Sequence, residues 1–294
     1  MNEIILIPAY NRIEFLTLCL ENLLNADGKK PPILVCVDNH QGAPPSIEVV
    51  EFLEQLKQVP AYQLEYVILQ PHNYAGLSHA IMSGMNLALH HQSRPDFVYY
   101  IEDDVMVGKD FFEWHRAVRD LGKWFVQVAC KNHCTETKRK NSKDPNLLYT
   151  TDFDYTALGA GFHRDSICHI LQHSTSVYWK NTGAYVQKMF PKSVIPTMYS
   201  EQAGLIRRVM EAEPRFKSVW PYLPRGFHAG FDGKNCKGKA IPGKTSRDRI
   251  DYLRGILQNK KKMNDLAITH KFIDPISLDA KPWTELKVDK HYGT

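Results

Sequence analysis

The chain has 294 residues, a formal net charge of +5, and 43% hydrophobic, 11% aromatic and 23% charged residues. This length accommodates one large domain or two small ones and buries a core without disulfides or structural zinc; the composition excludes disordered, collagen-like and coiled-coil chains. No apolar run approaches the ~20 residues of a membrane span.

The first residues, MNEIILIPAYNR, carry no basic leader and their apolar run breaks at Pro8, so a cytoplasmic protein is expected. Ile4–Ile7 reads as a buried strand. Ile13, Leu16, Leu20, Leu23 and Leu24 then recur at helical spacing, closed by Asp27-Gly28. Ile33–Val37 is a second strand, and Ser46 is expected to cap a helix carrying Val49, Val50, Leu53 and Leu56. Leu64–Leu69 is a third strand, Leu77, Ile81, Met85 and Ala88 mark a helix, and Phe97–Ile101 is a fourth strand. Continuous apolar strands between amphipathic helices predict an α/β fold, a mostly parallel sheet covered on both faces.

Beyond Asp110 the pattern is less regular. A helix is expected around Phe111, Trp114 and Val118, a strand over Trp124–Ala129, a polar loop over Lys138–Pro145, a strand and bend over Tyr149–Phe162, and a short helix over Glu201–Met210. From about Thr245 one basic helix and an irregular end are expected. This organisation reads as a single domain with a nucleotide-binding half (1–110), an acceptor-binding and catalytic half (111–245) and a basic tail (246–294). Six scattered cysteines without a C-x-x-C pair read as reduced thiols, and Cys130, His133 and Cys134 lack the second half of a zinc site. Trp179, Trp220 and Tyr222 read as packing rather than as a stacking platform.

Charge is unevenly distributed. Residues 225–264 carry eleven Lys/Arg against three Asp, or +8, which leaves −3 for the remainder. This segment is either a solvated surface or a phosphate patch for a diphosphate, a nucleic-acid backbone or an anionic membrane.

In an open parallel sheet, ligands bind beyond the carboxyl ends of the strands. Strand one is followed by Pro8, Ala9, Tyr10, Asn11 and Arg12, strand two by Asp38, Asn39 and His40, strand three by His72, Asn73, Tyr74 and Gly76, and strand four by Glu102, Asp103 and Asp104. The acidic triplet stands out, because three adjacent carboxylates repel one another unless a positive group neutralises them. Along extended backbone Glu102 and Asp104 project together, a pairing that suits a hard divalent cation, Mg²⁺ or Mn²⁺.

IPAYNR ending the first strand, an Asp after the second, HNYAGLSHAI before a helix and YYIEDD before DFFEW together resemble nucleotide-sugar glycosyltransferases of the GT-A (Rossmann-like) fold, in particular the branch that includes N-acetylglucosaminyltransferase I. ALGAGFHRD and RGFHAGFDG resemble that branch further along, so the likeness covers roughly residues 3–235. The resemblance implies that Pro8, Ala9, Tyr10 and Arg12 line the base and ribose, with Asn73 and Gly76 also on the donor. It implies that Asp38 accepts a base N–H, that Glu102 and Asp103 hold ribose and metal-bound water, and that Asp104 ligates the metal with His228 as a further contact. It implies a carboxylate base at a helix start, here Glu201, with Asp152 and Asp154 as rivals that could instead orient the acceptor. Arg225 and the lysines beside it are candidates to close over the diphosphate.

The function expected is metal-dependent, inverting transfer from a UDP-sugar to a hydroxyl of a saccharide or lipid-linked acceptor. The alternatives are a glycosyltransferase acting on hydroxymethylated DNA bases, a nucleotidyltransferase, which PAYNRIEF disfavours because it has no glycine loop, and a non-catalytic nucleic-acid-binding protein on the same fold. Neither the sugar nor the oligomeric state is written in the sequence.

Overall fold

The structure, a computed structural model, describes residues 1–74, 78–129, 146–197, 199, 201–222, 224–228, 245–257 and 287–292. Cys130, His133 and Cys134, the 138–145 loop, Gly76, Ser200 and most of the 225–264 segment lie outside them.

The first half alternates as expected: β1 (Glu3–Ala9), α1 (Ile13–Leu24), β2 (Ile33–Val37), α2 (Ile47–Lys57), β3 (Leu64–Ile68), α3 (Ser78–His90) and β4 (Phe97–Tyr100). Two details differ. Ser46 occupies the N-cap position of α2, but its side chain makes no capping bond. Strand β3 is an edge strand rather than a fully buried one, with Val67 and Ile68 37% and 39% exposed. The turn after α1 requires a glycine, since Gly28 has φ +77°.

The second half holds the helices expected around Phe111, after Glu201 and from about Thr245 and the strand expected over Trp124–Ala129, together with elements that periodicity does not reveal. After β4 come β5 (Val105–Val107), α4 (Phe111–Arg119), β6 (Phe125–Val128), β7 (Leu147–Thr151), β8 (Ala160–His163), α5 (Arg164–Leu171), α6 (Ser176–Lys180) and α7 (Thr182–Met189). They are followed by α8 (Gln202–Ala212), β9 (Lys217–Pro221), β10 (Gly226–His228), α9 (Ser246–Leu257) and β11 (Lys287–Tyr292). The expected strand and bend over 149–162 is two strands, β7 and β8. The chain end is not irregular throughout, because β11 pairs in parallel with β7.

Among the described residues, nine strands form one sheet in the order β11-β7-β9-β6-β8-β4-β1-β2-β3, while β5 and β10 pair separately. Pairing is parallel from β4 through β1 and β2 to β3, and β8 is antiparallel to both β4 and β6. One sheet therefore runs through both halves of the chain. Alternation along β1 explains the double covering: Ile5 and Ile7 pack into the layer that holds Leu16, Val49 and Phe111, and Ile4 and Leu6 into the layer that holds Met85, Ile167 and Leu205. Fully burying each such side chain contributes roughly 1.5–3 kcal/mol. Trp220 is fully buried and stacks on Tyr149, as packing rather than a platform. No helix among the described residues is long and apolar enough to cross a membrane.

Candidate active site

The strand order β4-β1-β2-β3 sets four carboxyl ends side by side, and the polar residues after them share one edge. After β4 the chain turns through Glu102–Asp104, closed by the Val105 amide donating to the Glu102 carbonyl at 3.0 Å, and enters β5. Strand β10 pairs with β5 in the register His228↔Val105, which places an imidazole from the far half of the chain beside the triplet. His228 Nε2 lies 3.0 Å from Asp104 Oδ2. One potential ligand atom each from Glu102, Asp104 and His228 fall within 4.8 Å of one another.

Arg12 reaches the same cluster from the loop after β1. Its Nη1 donates to Asp104 Oδ2 at 2.7 Å and its Nε to Asp103 Oδ2 at 3.3 Å, while Nη2 pairs with Asp103 Oδ1. The guanidinium expected to line a base and ribose is thus taken up by the two aspartates. Tyr100 Oη donates to Glu102 Oε1 at 3.1 Å.

The electrostatics follow from this enclosure. Burial, then the charge of Asp104, pushes Glu102 up to about 8. Burial likewise lifts Asp103 to about 7, against the pull of Arg12. At Asp104 burial opposes ionisation too, but His228 and Arg12 outweigh it and hold the carboxyl well below the usual range. Asp104 is therefore the strongest acid of the group. Its second oxygen, Oδ1, is buried and has no hydrogen-bond partner among the described residues. An orphaned carboxylate oxygen beside a second carboxylate and an imidazole is a donor set that fits a divalent cation.

Two strands away, Asp38 follows β2 and is 5% exposed. Its Oδ1 accepts from the Asn39 amide at 3.0 Å and lies 2.7 Å from His72 Nε2. Tyr10 Oη donates to the Ala43 carbonyl at 2.7 Å, which ties the loop after β1 to the loop after β2. Pro8 and Ala9 lie within β1 and are buried, so neither is a loop residue. Asn73 is exposed beside His72. His72 was visible in the sequence as a residue past the third strand, but only the fold reveals its pairing with Asp38.

Glu201 is exposed and is itself the N-cap of α8, so the helix begins one residue later than expected. Next to it, Gln202 Oε1 accepts from Ser78 Oγ at 2.7 Å, which joins the start of α8 to the start of α3 at the carboxyl edge. Asp154 pairs with Arg207 Nη2 at 3.4 Å, about 9 Å along α8 from Glu201. Asp152 pairs with Lys217 at the amino end of β9, which runs in the same direction as β4, so it lies at the opposite edge of the sheet.

Arg225 is not part of an open basic loop: it is 0% exposed, and its Nε donates to Asp110 Oδ2 at 2.8 Å. Arg254, on α9, pairs with Glu21 and Asp251.

Comparison with known proteins adds a family. The family model described as Glycosyl transferase family 2 matches residues 4–171. No curated protein matches the chain. Among solved structures, S. aureus TarS 1-349 has a TM-score of 0.46 at 12% identity, covering 75% of this chain and 60% of that one. TarS 1-349 in complex with UDP-GlcNAc has a TM-score of 0.50 at 13% identity, covering 91% of this chain and 71% of that one. The mannosyltransferase PcManGT from Pyrobaculum calidifontis, in complex with GDP-Man and Mn²⁺, has a TM-score of 0.49 at 12% identity, covering 91% of this chain and 63% of that one. The chain spans 60% of the length of the first of these. At such identities the likeness speaks for the fold alone.

Proposed function

The chain belongs to glycosyl transferase family 2, and we propose that it transfers a sugar from a nucleoside-diphosphate donor, UDP-linked, to a hydroxyl of a saccharide or lipid-linked acceptor. The observation that carries this reading is the Glu102–Asp104–His228 cluster at the mouth of β4. Beside it lie the ends of β1 and β2. Two strand spacings, about 10 Å, separate the β4 mouth from Asp38, a span that suits a ribose between a diphosphate at the cluster and a base at Asp38.

Glu102, Asp104 and His228 would hold a divalent cation, and the imidazole nitrogen favours Mn²⁺ over Mg²⁺. When bound, such an ion neutralises negative charge on a leaving diphosphate. Asp38 accepts an N–H from the base. Tyr10 and the 39–43 loop flank that position. Glu201, exposed at the start of α8, accepts the proton of the attacking hydroxyl. Direct attack on the anomeric carbon inverts its configuration, in keeping with the resemblance to the N-acetylglucosaminyltransferase I branch. Among the described residues of the basic segment, Arg225 and Arg254 are both paired with carboxylates of the chain itself, which supports a saccharide or lipid-linked acceptor over nucleic acid.

The test is a thermal-shift panel of nucleoside diphosphates and their sugars with and without Mn²⁺, followed by donor hydrolysis. UDP with Mn²⁺ should raise the melting temperature more than either alone. Asp104→Ala should lose that synergy and lower turnover by about 10²–10³. Unchanged turnover in Asp104→Ala would remove the cation from the reading.

A further inference from the structure

We propose that His72 is a specificity-determining positioning residue: by occupying Asp38 Oδ1 it leaves a single oxygen for the base and so selects a uracil edge over a guanine edge. The inference rests on the proposed donor site and deepens it.

The geometry is as follows. Asp38 Oδ1 carries two contacts, the Asn39 amide at 3.0 Å and His72 Nε2 at 2.7 Å. An ionised carboxylate only accepts, so the proton of the second contact sits on Nε2. No hydrogen bond reaches Asp38 Oδ2 among the described residues. Both side chains are buried, with Asp38 5% and His72 8% exposed, so water competes poorly for either.

His72 is held from several sides. Its amide donates to the Asn39 carbonyl at 3.1 Å, and its carbonyl accepts from the Gln41 amide at 2.7 Å. Its ring lies 4.5 Å from that of His79, 6.0 Å and stacked from that of Tyr74, and 5.8 Å from that of His40. The loop after β3 is thereby fastened to the loop after β2, and the imidazole has little freedom to release Oδ1.

The bases differ in what they offer a carboxylate. Uracil presents one imino N–H between two carbonyls. Guanine presents an imino N–H and an amino N–H side by side, which a carboxylate satisfies with both oxygens. Cytosine and adenine offer no imino N–H. With Oδ1 already filled, Asp38 accepts one N–H through Oδ2, which meets the need of uracil and leaves the guanine amino group facing an occupied acceptor. A buried donor left without a partner costs about as much as a lost hydrogen bond.

The experiment measures dissociation constants of UDP, GDP and CDP in the presence of Mn²⁺ for the full-length protein and for His72→Phe and His72→Gln. Phe keeps the ring packing and removes the donor, whereas Gln keeps a donor. The wild type should bind UDP about tenfold or more tightly than GDP, the size of one buried hydrogen bond. His72→Phe should narrow the UDP:GDP ratio by about that factor, and His72→Gln should restore it. Equal binding of UDP and GDP by the wild type would overturn the proposal, as would a proportional loss of both in His72→Phe. Either result leaves the donor site standing. If no nucleoside diphosphate binds the wild type, the donor reading itself falls. Should His72→Phe fail to fold, the wild-type ratio and that of His72→Gln decide the matter, with a ratio near one in the wild type counting against it.

Discussion

Arg12 Nη1 lies 2.7 Å from Asp104 Oδ2, so the carboxylate at the centre of the candidate site already has an internal counter-ion. His228 meets the same oxygen, and Oδ1 of the same carboxylate is left without a partner among the described residues. Clustered acids are thus partly neutralised within the fold itself. Removing one member of a buried ion pair strands the other in low dielectric. Arg12→Gln should therefore destabilise the cation-free protein by about 2–4 kcal/mol, a fall of roughly 4–16 °C in melting temperature. Because Mn²⁺ supplies the missing charge, it should recover a larger share of stability in the variant than in the wild type. Melting curves of both proteins against Mn²⁺ concentration test this, and equal recovery in the two would count against a shared electrostatic role.

Glu201 stands exposed at the start of α8 and is the proposed general base. A general base contributes ~10²–10⁴ to rate. Glu201→Gln should lower transfer by that factor while UDP binding stays within about twofold, since one hydrogen-bond-sized effect at the donor would exceed that. Transfer at the wild-type rate would move the base elsewhere, with Asp154 and its Arg207 partner the next to test.

Gly204, one turn into α8, faces a segment packed very closely against the helix. A Cβ there would overlap the Tyr199 carbonyl and come within 3.1 Å of Arg208 Nη1. Arg208 is fully buried and donates to the carbonyls of Tyr199 and Pro196 at 2.6 and 2.8 Å. Gly204→Ala should cost about 1–3 kcal/mol, as overpacking does. It should also reduce transfer more than UDP binding, because the displaced segment leads directly to Glu201. A variant with wild-type stability would show that the segment yields freely.

His115 gives the fold a definite acid response. It is fully buried, and burial pushes its pKa down to about 4. The Gln127 amide nitrogen donates to Nδ1 at 2.7 Å, while its oxygen accepts from the Arg119 amide at 2.9 Å, so the ring is held neutral. The unfolded chain takes up a proton on this residue near pH 6.5, whereas the folded chain does so only near 4. The stability this residue contributes is therefore complete above about pH 6.5 and is lost as pH falls toward about 4, on the order of 3 kcal/mol over that window. His115→Phe should flatten the slope of denaturation midpoint against pH in that range, whatever it does to stability at neutral pH. An unchanged slope would assign the acid response to other groups.

What the residues alone determined is local. Four strands alternating with amphipathic helices are legible because each pattern closes within about a dozen residues; β1, β2 and β4 are buried as expected, while β3 is a partly exposed edge strand. The acidic triplet is legible for the same reason, since its three members are adjacent in the chain. Only the tertiary structure decided which distant groups meet them. His228 reaches Asp104 through the pairing of β10 with β5, more than a hundred residues apart, and His72 reaches Asp38 because β3 lies beside β2. Arg225 reads in the sequence as a candidate to close over a diphosphate, yet it is buried on Asp110. The insertion of β8 between β4 and β6, and of β9 between β6 and β7, carries no local signature either. Hydrophobic period specifies which face of an element is buried, but partner choice depends on the sum of packing over the whole sheet, and that sum exists only in the folded chain.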